Sequence, residues 1–495
     1  MSTDEQHEVV VVGGGVAGCF AAATAAADGA DVVQLERKPR DRGGFIACGD
    51  AMKSPRDPRK YPGPIDMDAI ADDEAVRIDG NIDQIEWRDE ELGVRKVLPY
   101  AGNSNVIDRY EFGQQILQQA AGLGVEQRYD TVVNEVIQNG NVEGVRAKTG
   151  GEPVTYRGDV VIDTAGAQSI LQDMVEFEAL GDGHTTFEKP HYTHFGSAYR
   201  EIIETDQPVS YDNAIIGKPL EEMGYIWYFP RSSTRINVGL GFQMNKEPIP
   251  LADRLKQDVR SRPEFRGAAV DEKFGRKNKL GAALALRRPL DSMVAPGYLA
   301  AGGAAATTHP ISGKGIRGAA ISGYSAGRTA AEAVAAGDTS EAGLWGHNRY
   351  LFTEHGVGSK LASRDPYNVA ASSIDVPILR AIAALLPEKQ LKDIVGTDPR
   401  VDDLTSKLTV GFGAVRNFIG EYRTGTFEEL GVTNTELYDA LSGFWETKQY
   451  AEQFGDLYDQ YPASRGGFDA WRADRDGLDE AFYDAIDLAP GNHKY

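Results

Sequence analysis

Cysteine is nearly absent: the 495 residues hold two, Cys19 and Cys48. Two thiols cannot build a disulfide framework for a chain of this length, so a reducing compartment, the cytoplasm, is expected. They also exclude thiolate-rich metal sites and iron–sulfur clusters. Histidine is sparse, at eight, and shows no zinc-type spacing, so no metal is expected. Long apolar runs are missing too. Residues 9–27 carry no charge, but clustered glycines interrupt their start, and the flank before them (Asp4, Glu5, Glu8) is acidic where a signal peptide is basic. Residues 292–313 are uncharged but broken by Pro, Gly, Ser and Thr. Neither stretch is expected to span a bilayer. Positive charge is short: 52 Lys and Arg stand against 74 Asp and Glu, a net charge of −22. That field repels nucleic acid and anionic surfaces, so no nucleic-acid partner is expected. Lysine is the scarcer cation, at 19 against 33 arginines. With the acid excess and short apolar side chains, this predicts a salt-rich cytoplasm that screens the self-repulsion; the plainer alternative is an acidic mesophile protein.

What is present begins with the strand Val9–Val12, a β-branched run fit for burial on both faces. Gly13-x-Gly15-x-x-Gly18 follows, then an Ala-rich helix to Ala27 and a second strand, 31–35, that ends at Glu36. This order of strand, glycine turn, helix, strand and acid is the dinucleotide-binding arrangement. Gly13 permits the turn, Gly15 lets the backbone approach a pyrophosphate at the helix N-terminus, Gly18 allows close packing, and Glu36 meets a ribose hydroxyl. A Gly/Pro-rich loop (37–63) then interrupts, where an NAD dehydrogenase would continue with α/β units. A second glycine-rich segment, 302–316, lies far along the chain and leads into a helix over Ile316–Ala336, while residues 105–109 supply a third piece. Distant segments that close one site suit FAD in an extended pose. Residues 75–98 alternate weakly, as peripheral strands do, and 109–123 have helical spacing. Residues 185–241 are strand-rich and aromatic. From 401 onward, 18 acidic and 8 basic residues accompany 16 aromatics, which argues for folded helices with a polar face.

Tyr225, Trp227 and Phe229 alternate on one strand face, either as an aromatic wall for a long apolar ligand or as ordinary sheet core. Cys48 lies in a Gly-flanked loop, as a shaping or proton-relaying residue or as a buried apolar thiol. His309, before Pro310, is a candidate for proton transfer. His184, His191 and His194 read as structural or surface residues, because strand geometry puts the latter two on opposite faces.

Over roughly residues 7–340 the sequence resembles the geranylgeranyl reductases, within the FAD superfamily of p-hydroxybenzoate hydroxylase type. The resemblance rests on the Gly13–Gly18 motif, Glu36, Ala47-Cys48-Gly49, Arg109-x-x-Phe112, Tyr225-Ile226-Trp227-Tyr228-Phe229-Pro230 and the 302–316 segment. It implies saturation of C=C bonds in polyprenyl chains of membrane lipids. It also implies FAD contacts at Gly13, Gly15, Gly18, Glu36, Ala47, Cys48, Asp50, Arg109, Val133, Gly303, Gly315 and Ile316, and a chain-binding wall at Tyr225, Trp227 and Phe229. Cys48 and His309 are the catalytic candidates. The expected partners are a polyprenyl lipid, met at the membrane surface, and an electron donor, reduced nicotinamide or ferredoxin. The expected fold is α/β: a Rossmann-like FAD-binding domain (1–172 and 285–345), an inserted β-rich substrate domain (173–284) and a helical acidic-aromatic C-terminal region (346–495).

The sequence departs from the pattern in three places. Gly302-Gly303 stands where the superfamily has Gly-Asp, and Ala165-Gly166 stands for Asp-Gly, with Asp163 displaced two residues. The C-terminal block has no counterpart. These changes predict weaker FAD binding or a divergent paralogue. The alternatives are a quinone- or electron-transfer-flavoprotein-linked dehydrogenase, a flavin-dependent monooxygenase, and, outside enzymes, a flavin-free lipid-binding paralogue.

Overall fold

The computed structural model describes residues 3–77, 82–99, 104–168, 171–177, 195–243, 250–273, 276–395 and 430–487. The strand Val9–Val12 is buried along its whole length and lies between two parallel neighbours, Val32–Leu35 and Val160–Asp163. Tyr298–Ala300 continues the sheet on one side and Glu126–Arg128 on the other, and Val294–Ala295 closes it as an antiparallel edge. Both faces are covered, which is why the strands read as unbroken apolar runs. Val9 and Val11 pack towards the helices Val16–Ala27 and Ile316–Ala336. Val10 and Val12 pack towards the meander Thr131–Asn139, Asn141–Thr149 and Glu152–Arg157. The two helices touch backbone to backbone: a methyl group on Gly323 or Gly327 would overlap the carbonyls of Ala17 or Ala21. The Gly13–Gly18 turn and the Gly315 turn are thereby held side by side.

A second, eight-stranded sheet carries the aromatic segment. Its main path runs Ala269–Val270, Phe195–Glu204, Arg235–Gln243, Gly224–Pro230, Ala214–Pro219, Gln84–Asp89 and Val94–Pro99, and Lys279–Ala285 also pairs with Phe195–Glu204. Gln84–Pro99 was expected within the 1–172 segment; it forms strands, but they extend this sheet, Gln84–Asp89 lying parallel to Ala214–Pro219. Trp87 lies over Gly217 there. Alternation reveals a half-buried strand but not its partner.

The C-terminal residues that are described form helices, among them Val357–Ala362, Asp365–Ser372, Val376–Leu385, Asn434–Asp459 and Phe468–Ala485. A capping box between Thr433 and Glu436 starts the long one. Its aromatics are core: Tyr461 stacks on Phe352 at 4.5 Å, and Phe454, Tyr458, Trp471 and Phe482 are buried with it. Arg288 holds Asp479 through two bonds of 2.7 and 2.6 Å, and Arg475 bridges Asp479 and Asp291, fastening these helices to the main body. No helix among the described residues is long and apolar enough to cross a membrane. His184, His191 and His194 lie outside the described residues.

Candidate functional site

One cavity of about 1740 Å³ runs from the glycine turn to the C-terminal helices. Single small-molecule sites are usually about 300–1,000 Å³, so it has room for more than one ligand. At its first end, Gly13 sits at φ +118°, and a Cβ there would stand 2.6 Å from the Thr164 carbonyl oxygen. A Cβ on Gly15 would meet nothing within 4 Å, leaving the open cradle a pyrophosphate needs beside the start of the Val16–Ala27 helix. Gly18 lies outside the cavity lining, packed under the Gly13 carbonyl. Glu36, nearly buried, accepts hydrogen bonds from Gly14 N (2.7 Å) and Lys38 N (2.8 Å) and lines the same end.

Ala47, Cys48, Asp50, Arg109, Val133, Gly303, Gly315 and Ile316 line the next section. Arg109 is 4% exposed, and its Nε and Nη1 have no hydrogen-bond partner among the described residues. A buried guanidinium with idle donors is costly unless an anion or carbonyl meets it. The open cradle and this orphaned cation together fit an FAD pyrophosphate arm. Burial pushes the Cys48 thiol above its ordinary value, and nearby Asp50 adds to the rise, outweighing Arg109; Cys48 therefore keeps its proton. His309 accepts from Ile311 N (3.3 Å) and Ser312 N (3.2 Å) at Nδ1, so its ring holds the turn before Gly315.

Beyond this lies the wall. Tyr225, Trp227 and Phe229 project from one face of Gly224–Pro230 into the cavity, with centroids 5.9 and 6.1 Å apart along the row. Ile226 and Tyr228 face the other way, into a separate core. The C-terminal segments add apolar lining residues, Ile374, Leu379, Ile382, Leu386 and Phe444, beside the charged Arg380, Lys392, Asp439 and Glu446.

Two family models match the chain: Glucose inhibited division protein A over residues 8–189, and the geranylgeranyl reductase catalytic domain over residues 195–267. The second covers the aromatic wall. The chain is similar to the geranylgeranyl reductases in this segment. It is 27% identical over 376 residues to a digeranylgeranylglycerophospholipid reductase of Sulfolobus acidocaldarius, covering 73% of this chain and 76% of that protein. A protein of the same description from Methanosarcina acetivorans is 29% identical over 342 residues, 68% of this chain and 77% of that one. In fold, it resembles a geranylgeranyl bacteriochlorophyll reductase-like protein from Thermoplasma acidophilum, with TM-score 0.63, 20% identity, and 86% and 99% of the two chains covered. A flavin-dependent brominase also shares the fold, at TM-score 0.57 and 17% identity, with 85% and 100% covered. The chain is an FAD-dependent oxidoreductase of the expected α/β class.

Two of the departures from the superfamily pattern have a structural setting. Asp163, two residues before the Ala165-Gly166 that stands for Asp-Gly, is fully buried outside the cavity lining, accepting from Tyr298 Oη (2.7 Å) and Ala165 N (2.8 Å). Gly303, read as a lost aspartate, sits where a Cβ would stand 2.9 Å from Ala167 N and 3.1 Å from Gly166 C. The loop is glycine because a second strand-end loop presses on it. Sequence reasoning also missed a buried polar group beside the wall. Arg231 donates to Asp50 (2.6 Å) and Asp108 (2.9 Å), and Asn237 donates to Asp50 (2.6 Å). No spacing rule signals it, because its members are scattered from 50 to 237.

Proposed function

We propose that this protein saturates the C=C bonds of geranylgeranyl chains on membrane-lipid precursors, using FAD. One observation carries the reading: a single cavity of about 1740 Å³ is lined by the dinucleotide cradle, the aromatic wall and apolar side chains of the C-terminal helices. Glu36, the Gly15 backbone and Arg109 hold the cofactor, and Gly315 and Ile316 bring the positive end of a 21-residue helix to its flavin end. Reduced FAD, when bound, supplies the hydride. An isolated alkene is a poor hydride acceptor, so the site must exclude water and hold a proton nearby. The rings of Tyr225, Trp227 and Phe229 do the first. Cys48 Sγ, kept protonated by burial and by Asp50, holds the second. Electrons arrive from reduced nicotinamide or ferredoxin, and the protein, in a salt-rich cytoplasm, takes the lipid from the membrane surface.

Trp227→Ala tests the wall. Turnover of a geranylgeranyl phospholipid should fall while the flavin spectrum is retained. Removing a buried ring costs about 3–5 kcal/mol, so a thermal melt accompanies the assay. Full activity in a folded variant would refute the wall.

A further inference from the structure

We propose that Asn237 is a positioning residue that sets the aromatic wall against the cofactor loop; the inference rests on the reading of the cavity as a flavin and prenyl site. Asn237 is fully buried on the strand Arg235–Gln243. Its Oδ1 accepts from Trp227 Nε1 at 3.0 Å, and its Nδ2 donates to Cys48 O at 2.8 Å and to Asp50 Oδ2 at 2.6 Å. The orientation is forced. Indole N–H can only donate, and the carbonyl and carboxylate can only accept, so the reversed amide would lose all three bonds. Asp50 passes the constraint on. It binds Arg231, which binds Asp108, and Asp108 caps the helix that starts at Arg109 by accepting from Tyr110 N at 3.0 Å. One amide therefore ties the central ring of the substrate wall to the loop that carries Cys48 and to the base of the Arg109 helix. Trp227 has no slack elsewhere: a methyl on Gly239 would overlap its ring, and its neighbours Tyr225 and Phe229 lie on either side. In a low-dielectric interior such a network of buried hydrogen bonds fixes the relative placement of the groups it joins.

The test is a double-mutant cycle of Asn237→Ala and Trp227→Phe on the FAD-bound protein. It reads thermal melting, FAD Kd, the visible circular dichroism of the flavin, and kcat and KM for a geranylgeranyl phospholipid. Misplacing reacting groups by about an ångström costs up to about 100-fold in rate. Asn237→Ala is expected to melt cooperatively and keep FAD, to shift the flavin dichroism, and to lower kcat at least about tenfold with a smaller change in KM. The double variant should be no worse than the worse single, because both remove one link. Additive losses, or Asn237→Ala with parental dichroism and kcat, overturn the proposal. If Asn237→Ala does not fold, Trp227→Phe, which keeps a buried ring, decides alone: parental dichroism and kcat overturn it. If the parent fails to reduce any prenyl chain, the functional reading falls, while coupled dichroism changes in the cycle still support the clamp and independent ones overturn it.

Discussion

Gly303 shows how one absent side chain supports two readings. Its absent side chain predicts a missing ribityl contact, and on that reading Gly303→Asp should tighten FAD. The structure argues the opposite, since the added Cβ would press on Ala167 N at 2.9 Å. Overpacking of this kind costs about 1–3 kcal/mol, so FAD titration of Gly303→Asp should give a raised Kd and a lowered melting temperature; a tighter complex would restore the original reading. At this scale, what was legible was whatever spacing encodes. Gly13, Gly15 and Glu36 line the cradle, and Tyr225, Trp227 and Phe229 share a face because strand periodicity places them there. Asn237 and Arg231 were illegible because their partners, Cys48, Asp50 and Asp108, are distant in sequence and meet only through the packing of two sheets.

The short strand Tyr298–Ala300 links two buried titratable groups that respond oppositely to acid. Asp163 accepts from Tyr298, and burial pushes its carboxyl up to about 6. His347 bonds the Ala300 carbonyl at 2.9 Å and Ser325 at 2.9 Å, and burial pulls it down to about 4, more than the carbonyl raises it. The native state prefers protonated Asp163, so this group's stabilisation is complete below about pH 4 and is lost as pH rises through about 6. The native state prefers neutral His347, so its stabilisation is complete above about pH 6.5 and is lost as pH falls through about 4. Each displacement, a little over two pH units, amounts to about 3 kcal/mol. Asp163→Asn, a neutral isostere, still accepts from Ala165 N at Oδ1 and can donate from Nδ2 to Tyr298 Oη, and it removes one side of this balance. Urea melts should show it more stable than the parent by up to about 3 kcal/mol near pH 7, with the gain gone near pH 4; a gain that does not depend on pH would contradict the assignment. Elements themselves were read well where both faces or one clear stripe are buried, as in Val9–Val12 and Ile316–Ala336. Gln84–Pro99 was legible as peripheral strands but not by its partners, because edge pairing is decided by which sheet has an open edge, not by local pattern.

Over the whole molecule, the charge of −22 sits on a surface whose interior is built from small, closely packed groups such as the Gly323 and Gly327 crossing. Self-repulsion acts over about 30 Å at 0.01 M salt and about 3 Å at 1 M. The melting temperature should therefore rise from dilute buffer to molar KCl, and equal values would remove the case for a salt-rich cytoplasm. The C-terminal block, legible only as folded acidic helices, supplies the far wall of the cavity through residues such as Leu379 and Phe444. That contribution depends on long-range packing of Tyr461 on Phe352 and of Asp479 on Arg288, which composition does not encode. The cavity makes the central claim, that cofactor and chain share one chamber, directly measurable. The FAD-loaded protein is reduced anaerobically and mixed with a geranylgeranyl phospholipid, and flavin absorbance and lipid mass are followed together. The account predicts flavin reoxidation in step with addition of H2 to the chain. Reduced flavin that stays reduced with the lipid but is rapidly oxidised by a quinone would contradict it.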